Sequence, residues 1–249
     1  MSDIIHELLL FTVLVCLLIY AIFSRRIKGA IGEQTVSWRL SLLPKSKYKV
    51  VNNLVLKVGD KTVQIDHLII SNYGVFVIET KNLKGWIFGY ENYEFWTQVI
   101  FKRKERFYNP IRQNLGHIKA LKSTLNEFHG VKYVSIIAFC GKCTLKVETD
   151  TKIVYSDQLI KTIKRYSEVQ LSDTEKDAIF ERITLRNISR SYNRDTHIKD
   201  IKKRISDRED SINRNICPQC GGNLVIRTSA NGRFKACCNY PRCKFTTNS

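Results

Sequence analysis

The sequence predicts an α/β protein in which one membrane-spanning helix precedes the main domain and a small cysteine-bound module follows it. Three observations carry this. Residues 8–23, "LLLFTVLVCLLIYAIF", form an uncharged apolar run. Residues from about 29 to 155 alternate strand and helix patterns. Five of the eight cysteines fall after residue 214.

Composition narrows the partners. A chain of 249 residues that is 43% hydrophobic and 26% charged can bury an ordinary core, which excludes disorder throughout. With 41 Lys+Arg against 23 Asp+Glu the formal charge is +18. Such an excess repels itself unless a polyanion uses it, so the expected partners are nucleic acid and an anionic membrane face, with no small-molecule substrate.

The first element is a helix over residues 4–23, where Ile4 and Ile5 extend the apolar run toward the roughly 20 residues that span a bilayer. Arg25, Arg26 and Lys28 follow it, and Asp3 and Glu7 flank its start. The positive-inside rule then predicts a single-pass inner-membrane protein with its main domains in the cytoplasm. A cleaved signal peptide would show the reverse charge order.

A cytoplasmic setting makes disulfides rare, so clustered cysteines read as metal ligands and scattered ones as small hydrophobes. Cys16 falls in the apolar run, and Cys140 and Cys143, after the strand-like Val134 to Phe139, read as structural. In "CPQCGGNLVIRTSANGRFKACCNYPRCKF" a Cys217/Cys220 knuckle meets a second cluster, the spacing of a tetrahedral Zn²⁺ site built from two loops. Spacing alone does not choose among Cys237, Cys238 and Cys243. The segment resembles the C4 zinc finger of bacterial type I DNA topoisomerases. That resemblance implies Cys217, Cys220, Cys237 and Cys243 as ligands, with Ala236 and Cys238 departing from the family's glycine and serine. No acidic residue follows Asp210, whereas Arg227, Arg233, Lys235, Arg242 and Lys244 interleave with Phe234 and Tyr240. Cations for phosphates and aromatic faces for unstacked bases predict DNA binding, with single strands suited to the rings.

Between these ends, residues 29–155 form the expected core and residues 156–213 a charged helical linker, of which "DQLIKTIKRY" has the spacing to pack back on the core. Residues 214–249 form the zinc module. In the core, "KGAIGEQTVSWRLSLLP" reads as a helix with Val36, Leu40 and Leu43 on one face and Glu33 at its edge. "VQIDHLII" and "VFVIETK" read as inner strands joined by an Asn72-Tyr73-Gly74 turn. Strand alternation puts Gln64, Asp66, Leu68 and Ile70 on one side, and Val75, Val77, Glu79 and Lys81 on one side. An antiparallel pairing brings Asp66 and Glu79 to the same end of the sheet. Two carboxylates there suit Mg²⁺, and a lysine beside them suits orientation of water or neutralisation of an oxyanion. His67 alternates away from Asp66 and reads as a core or supporting histidine. "GWIFGYENYEFW" reads as a hairpin with aromatic cross-strand pairs that serve packing, and Lys102-Arg103-Lys104 as a solvated loop. "NPIRQNLGHIKALKSTLNEF" starts a helix at Asn109-Pro110, with Ile111, Leu115, Ile118, Leu121, Leu125 and Phe128 at helical spacing and Gln113 in the first turn.

Gly32-Glu33, "QIDHLIIS", "GVFVIETKN", Gly85 and "NPIRQN", in this order, resemble the nuclease-related domain, a branch of the PD-(D/E)XK nuclease superfamily, over roughly residues 29–130. The resemblance implies a mixed sheet flanked by helices and Mg²⁺-dependent phosphodiester hydrolysis of the endonuclease type. It assigns Asp66, Glu79 and Lys81 to the D…E-x-K motif and Glu33 to the acidic position of the first helix. It also puts Gln64 and Gln113 at recurring polar positions. Asp66 and Glu79 are then the expected Mg²⁺ ligands. The sequence thus reads as a membrane-anchored nuclease whose zinc finger captures DNA, with a catalytically idle, membrane-tethered DNA-binding module as the alternative.

Overall fold

A computed structural model describes the backbone of residues 2–189, 194–229 and 232–248. The side chains of residues 2–5, 8, 9, 14–26, 194–202, 204, 229, 232 and 248 lie outside the described set. The chain divides into two compact units, residues 1–191 and 192–249.

The first unit opens with one helix, α1 (Ser2–Leu40). The predicted membrane span falls on its first part, where most side chains are outside the described residues. Among the described residues no helix is long and apolar enough to cross a membrane. Then come β1 (Tyr48–Val58), β2 (Lys61–Ser71), β3 (Gly74–Lys81), β4 (Gly85–Tyr90), β5 (Phe95–Ile100), β6 (Arg103–Tyr108) and α2 (Pro110–Thr124). β7 (Tyr133–Phe139), β8 (Cys143–Glu148), β9 (Lys152–Tyr155), α3 (Leu159–Ile163) and α4 (Asp173–Arg186) complete it.

Five strands make a mixed sheet in the order β1-β2-β3-β7-β9, with β2 antiparallel to both neighbours and β7 parallel to both of its own. β3 is central and buried on both faces, which its unbroken apolar start, "GVFVI", requires. Phe76 and Ile78 meet Val36 and Leu40 of α1 and Leu159 and Ile163 of α3 on one face. Val75 and Val77 meet Leu121 of α2 and Ile179 and Ile183 of α4 on the other. Half of the expected linker is therefore core. α4 carries many charges, yet Ile179 and Ile183, with Leu171 just ahead of it, bury one side of it, and Ser172 and Glu175 close a capping box at its start.

The second sheet has the order β6-β5-β4-β8. It is built by carrying two strands across together. β3 and β7 are parallel neighbours in the first sheet, and their continuations β4 and β8 are parallel neighbours in the second. At the crossing Cys140 donates its N–H to Lys81 O at 2.9 Å and Gly85 donates to Lys142 O at 3.2 Å. A Cβ on Gly141 would collide with the Leu83 backbone, so the two segments can touch only because residue 141 is glycine.

β2 holds a departure from simple alternation. Its ladder with β1 skips Asn53 opposite Asp66, and Asn53 adopts φ 52°, a left-handed conformation that asparagine tolerates. Val63 and Ile65 consequently pack in the same cluster as Leu68 and Ile70. Gln64 turns away from that side, against the alternation read from the sequence.

His67 is fully buried. Its Nδ1 lies 2.7 Å from Asn52 Oδ1, and burial lowers its pKa to about 4. An unfolded chain with a histidine pKa of 6.5 binds the proton more readily, so stability falls as pH drops from 6.5 toward 4. The shift from 6.5 to about 4 corresponds to at most about 3 kcal/mol from this residue. Urea unfolding should show that loss between pH 7 and pH 4, reduced in His67→Leu; an unchanged pH dependence in the variant would exclude His67 as its source.

Candidate active site and metal centre

Asp66, Glu79 and Lys81 meet where β2 parts from β3. Their ladder runs from Ser71 opposite Gly74 to His67 opposite Ile78 and stops there. One step further, Asp66 Oδ2 accepts the Thr80 N–H at 2.9 Å in place of a ladder bond. β3 continues beside β7 alone, carrying Glu79 and Lys81 on the α2 side.

Those two side chains lie one pleat repeat apart, roughly 6.6 Å, and α2 offers partners one turn apart, roughly 6 Å, so the elements match pairwise. Lys81 Nζ donates to Glu79 Oε1 at 2.5 Å and to Gln113 Oε1 at 3.0 Å. His117 Nδ1 faces Glu79 Oε2 at 3.6 Å, beyond hydrogen-bond length. Both of those facing atoms are buried and have no hydrogen-bond partner.

The electrostatics follow from burial. Desolvation raises the Glu79 carboxyl pKa against the pull of Lys81, and the charge of Glu33 raises it further. For Lys81 burial alone would lower the pKa. The Glu79 carboxylate and its hydrogen bond, with the charges of Asp66 and Glu33, outweigh that and hold it raised, so the ammonium stays protonated at neutral pH. His117 is lowered to about 4 by burial, with the Lys81 charge adding to the effect, and is neutral.

Glu33, Asp66, Glu79, Lys81 and Gln113 are thus joined by contact or by field. Gln64 is half-buried opposite Val55 and takes no part in the hydrogen-bonded cluster. A carboxylate oxygen sealed without a donor is costly, and Glu79 Oε2 is such an atom. Together with Asp66 at the same strand end, it offers the hard oxygens that a divalent cation takes.

Two residues of this site escaped the sequence reading. The buried face of α2 runs through Ile111, Asn114, His117 and Leu121, whereas Leu115 is exposed. Asn114 Nδ2 donates to Val77 O and Ser135 Oγ, both at 2.8 Å, and so fixes α2 to β3 and β7. The signal was the spacing from Ile111 to Leu121, which passes through both polar residues.

The second unit consists of α5 (Arg194–Asn213), β10 (Leu224–Ser229), β11 (Gly232–Cys237) and β12 (Thr246–Asn248), the strands forming one antiparallel sheet. Cys217, Cys220, Cys237 and Cys243 bring their sulfurs within 4.8 Å of one another, the one such group of three or more candidate ligands among the described residues. The Cys217–Cys243 and Cys220–Cys237 sulfur pairs are 3.7 and 3.3 Å apart. The Gly222 N–H pulls the Cys220 thiol down to about 6, while burial pushes Cys237 up to about 12. Four sulfurs this close ionise together only around a cation, which fits tetrahedral Zn²⁺. Cys238 is exposed, with its sulfur toward Asn239 Oδ1 at 3.5 Å. By contrast, Cys140 and Cys143 have pKa values raised by burial, as inert packed thiols do.

Around the tetrad, the Arg227 guanidinium lies 5.9 Å from the Tyr240 ring centre, and Arg227 pairs with Phe234 across the ladder. Arg233, Arg242 and Lys244 are exposed. Lys235 donates to Ile212 O at 3.2 Å, so it serves the module's own packing. The full chain should bind one Zn²⁺, lost in Cys237→Ser and kept in Cys238→Ser when metal content is measured; equal losses would overturn the ligand choice.

Comparison with known proteins finds a family for a segment of each unit. The nuclease-related domain family matches residues 28–140, and the topoisomerase DNA-binding C4 zinc finger matches residues 214–249. An uncharacterised protein of Bacillus anthracis is 38% identical over 208 residues, which cover 80% of this chain and 96% of that one. DNA topoisomerase 1 of Campylobacter jejuni is 53% identical over 32 residues, 13% of this chain and 5% of the enzyme. DNA topoisomerase 1 of Helicobacter pylori is 59% identical over 29 residues, 12% of this chain and 4% of the enzyme. No solved structure matches. The chain belongs to the nuclease-related domain family and carries a topoisomerase-type C4 zinc finger.

Proposed function

We propose that this chain is a membrane-anchored, Mg²⁺-dependent nuclease that hydrolyses phosphodiester bonds while its zinc finger holds DNA. The observation that carries the reading is the sealed Glu79 carboxylate, one oxygen bound by Lys81 and the other without a donor. Asp66 and Glu79 would hold Mg²⁺, which supplies a Lewis acid for a phosphate under attack. Lys81, kept protonated by its carboxylate partner, neutralises charge growing on a phosphate oxygen and orients the attacking water. Gln113 fixes the ammonium from α2, and the negative field of Glu33 keeps the site attractive to a cation.

The basic, aromatic finger suits it for DNA capture, with single strands favoured by the exposed Tyr240 ring. Membrane anchoring rests on the uncharged run of residues 8–23, the basic residues after it, and the exposure of Leu10, Phe11 and Val13. The same reading puts both units in the cytoplasm, behind Arg25, Arg26 and Lys28. A second reading, an idle DNA-binding module, draws on the closeness of the Lys81–Glu79 pair at 2.5 Å, which neutralises the charge internally.

Labelled DNA and RNA incubated with the full chain, with and without Mg²⁺, decide between them. Asp66→Ala, Glu79→Ala and Lys81→Ala should each lower cleavage by about a hundredfold or more, as loss of an electrostatic catalytic group does, and leave binding intact. Wild-type protein that binds but cuts neither polymer with Mg²⁺ or Mn²⁺ would falsify the nuclease and leave the binding module. Removal of residues 214–249 should weaken capture and its salt dependence and leave slow cleavage. Full-length protein should pellet with membranes and resist carbonate extraction; intact protein in the supernatant would count against the anchor.

A further inference from the structure

The hairpin expected to pair its aromatic residues across strands divides them between two faces. Trp96 is fully buried and lies against Gly89, where a Cβ would collide with its indole. Ile87 and Trp96 meet Ile111, Ile137 and Phe139 and complete the inner face of the second sheet. Trp86, Phe88 and Tyr90 alternate to the outer face, and there Trp86 is 51% and Tyr90 48% exposed. Cross-strand partners of Trp86 and Phe88 are Val99 and Thr97, whereas Tyr90 meets the Tyr93 ring across the turn at 4.9 Å, so the expected aromatic pairing holds at the turn and not at Trp86 or Phe88. Phe95 opposite Tyr108 extends the outer face toward β6.

Cations share this face. Lys146 Nζ lies 4.5 Å from the Trp86 ring centre and 5.4 Å from that of Phe88. The Arg106 guanidinium lies 4.7 Å from the Phe95 ring centre. The ladders set Lys146 opposite Phe88 and Arg106 opposite Thr97, so rings and charges alternate across the strands.

We propose that the outer face of this sheet is a second nucleic-acid site that takes single-stranded DNA or RNA by stacking bases on Trp86, Phe88 and Tyr90, with Lys146 and Arg106 on the phosphates. The inference rests on the nucleic-acid reading above and adds a surface distinct from the zinc finger. Charge decides the class of partner. Each cation now over a ring has a phosphate to move to when a base takes its place, whereas rings entering a lipid layer would drag those charges toward hydrocarbon. The face is also tied to the candidate active site, because Trp86 follows Lys81 by five residues and so lies within roughly 17 Å of it along the chain.

The test uses the full chain in neutral detergent and Mg²⁺-free buffer, with oligothymidylate carrying 5-iodouracil, photocrosslinking and peptide mapping. Crosslinks are expected on Trp86, Phe88 or Tyr90 in addition to the finger. Trp86→Ala and Tyr90→Ala should each weaken oligothymidylate binding by about fivefold to a hundredfold and leave an abasic oligomer of equal length unaffected. Lys146→Gln with Arg106→Gln should flatten the salt dependence for both oligomers. Crosslinks confined to residues 214–249 would overturn this site and leave the nucleic-acid reading standing, whereas no binding of any oligomer would overturn both. If Trp86→Ala instead abolishes binding to phosphatidylserine vesicles and spares the oligomers, the face is a membrane surface and the proposal fails.

Discussion

A carboxylate driven into the middle of a sheet has to be answered, and the answer given to Glu79 organises the first unit. Lys81 supplies the counter-charge from the same strand, but a lysine so confined needs its own restraint. Gln113 provides that from α2. The helix must therefore lie with its first two turns over the end of β3, and Asn114 holds it there by two hydrogen bonds to the strands beneath. Its buried face is apolar at Pro110 and Ile111, polar at Asn114 and His117, and apolar again at Ala120 and Leu121. Burying an ion pair costs desolvation that is recovered only with good geometry and further hydrogen bonds, so such an arrangement reflects a use for the charge more than a gain in stability.

The second unit solves a smaller problem by the same logic. Apart from the cysteines, its buried cluster contains Leu224, with Ile212 and Phe245 partly packed against it, which is little apolar surface for a folded module. A metal that binds the folded form alone contributes its binding energy to folding. The knuckle is shaped for that purpose. Gly221 takes φ 74°, and a side chain on Gly222 would strike Asn239, whose own N–H points at Cys237 Sγ at 3.4 Å.

Much of this was legible in the residues themselves. Glu79 and Lys81 share a face because strands alternate, and the turn at Asn72-Tyr73 brings Asp66 to the same end; both hold in the structure. The cysteine spacing pointed to a two-knuckle metal site; spacing alone does not separate Cys237 from its exposed neighbour Cys238, whereas the resemblance chose Cys237 and three-dimensional proximity agrees. What failed did so for physical reasons. Counting apolar residues on α2 promoted Leu115 and hid Asn114 and His117, because the helix is aimed by polar contacts at its first turns. Alternation failed at Gln64 because Asn53 breaks the neighbouring ladder. α4 was hidden inside a stretch that reads as a charged linker, and the outer aromatic face by reading the hairpin's rings as cross-strand pairs.

The paired crossing of β3 and β7 into the second sheet carries a mechanical consequence. Because both strands bend together and Gly141 sits directly on Leu83, neither can slip by a residue without dragging its partner out of register in two sheets. The interval between Lys81 and the outer aromatic face is therefore locked at the bend. Side chains on that face thus stand at a constant interval from Lys81 along the chain, and one glycine at the bend sets it.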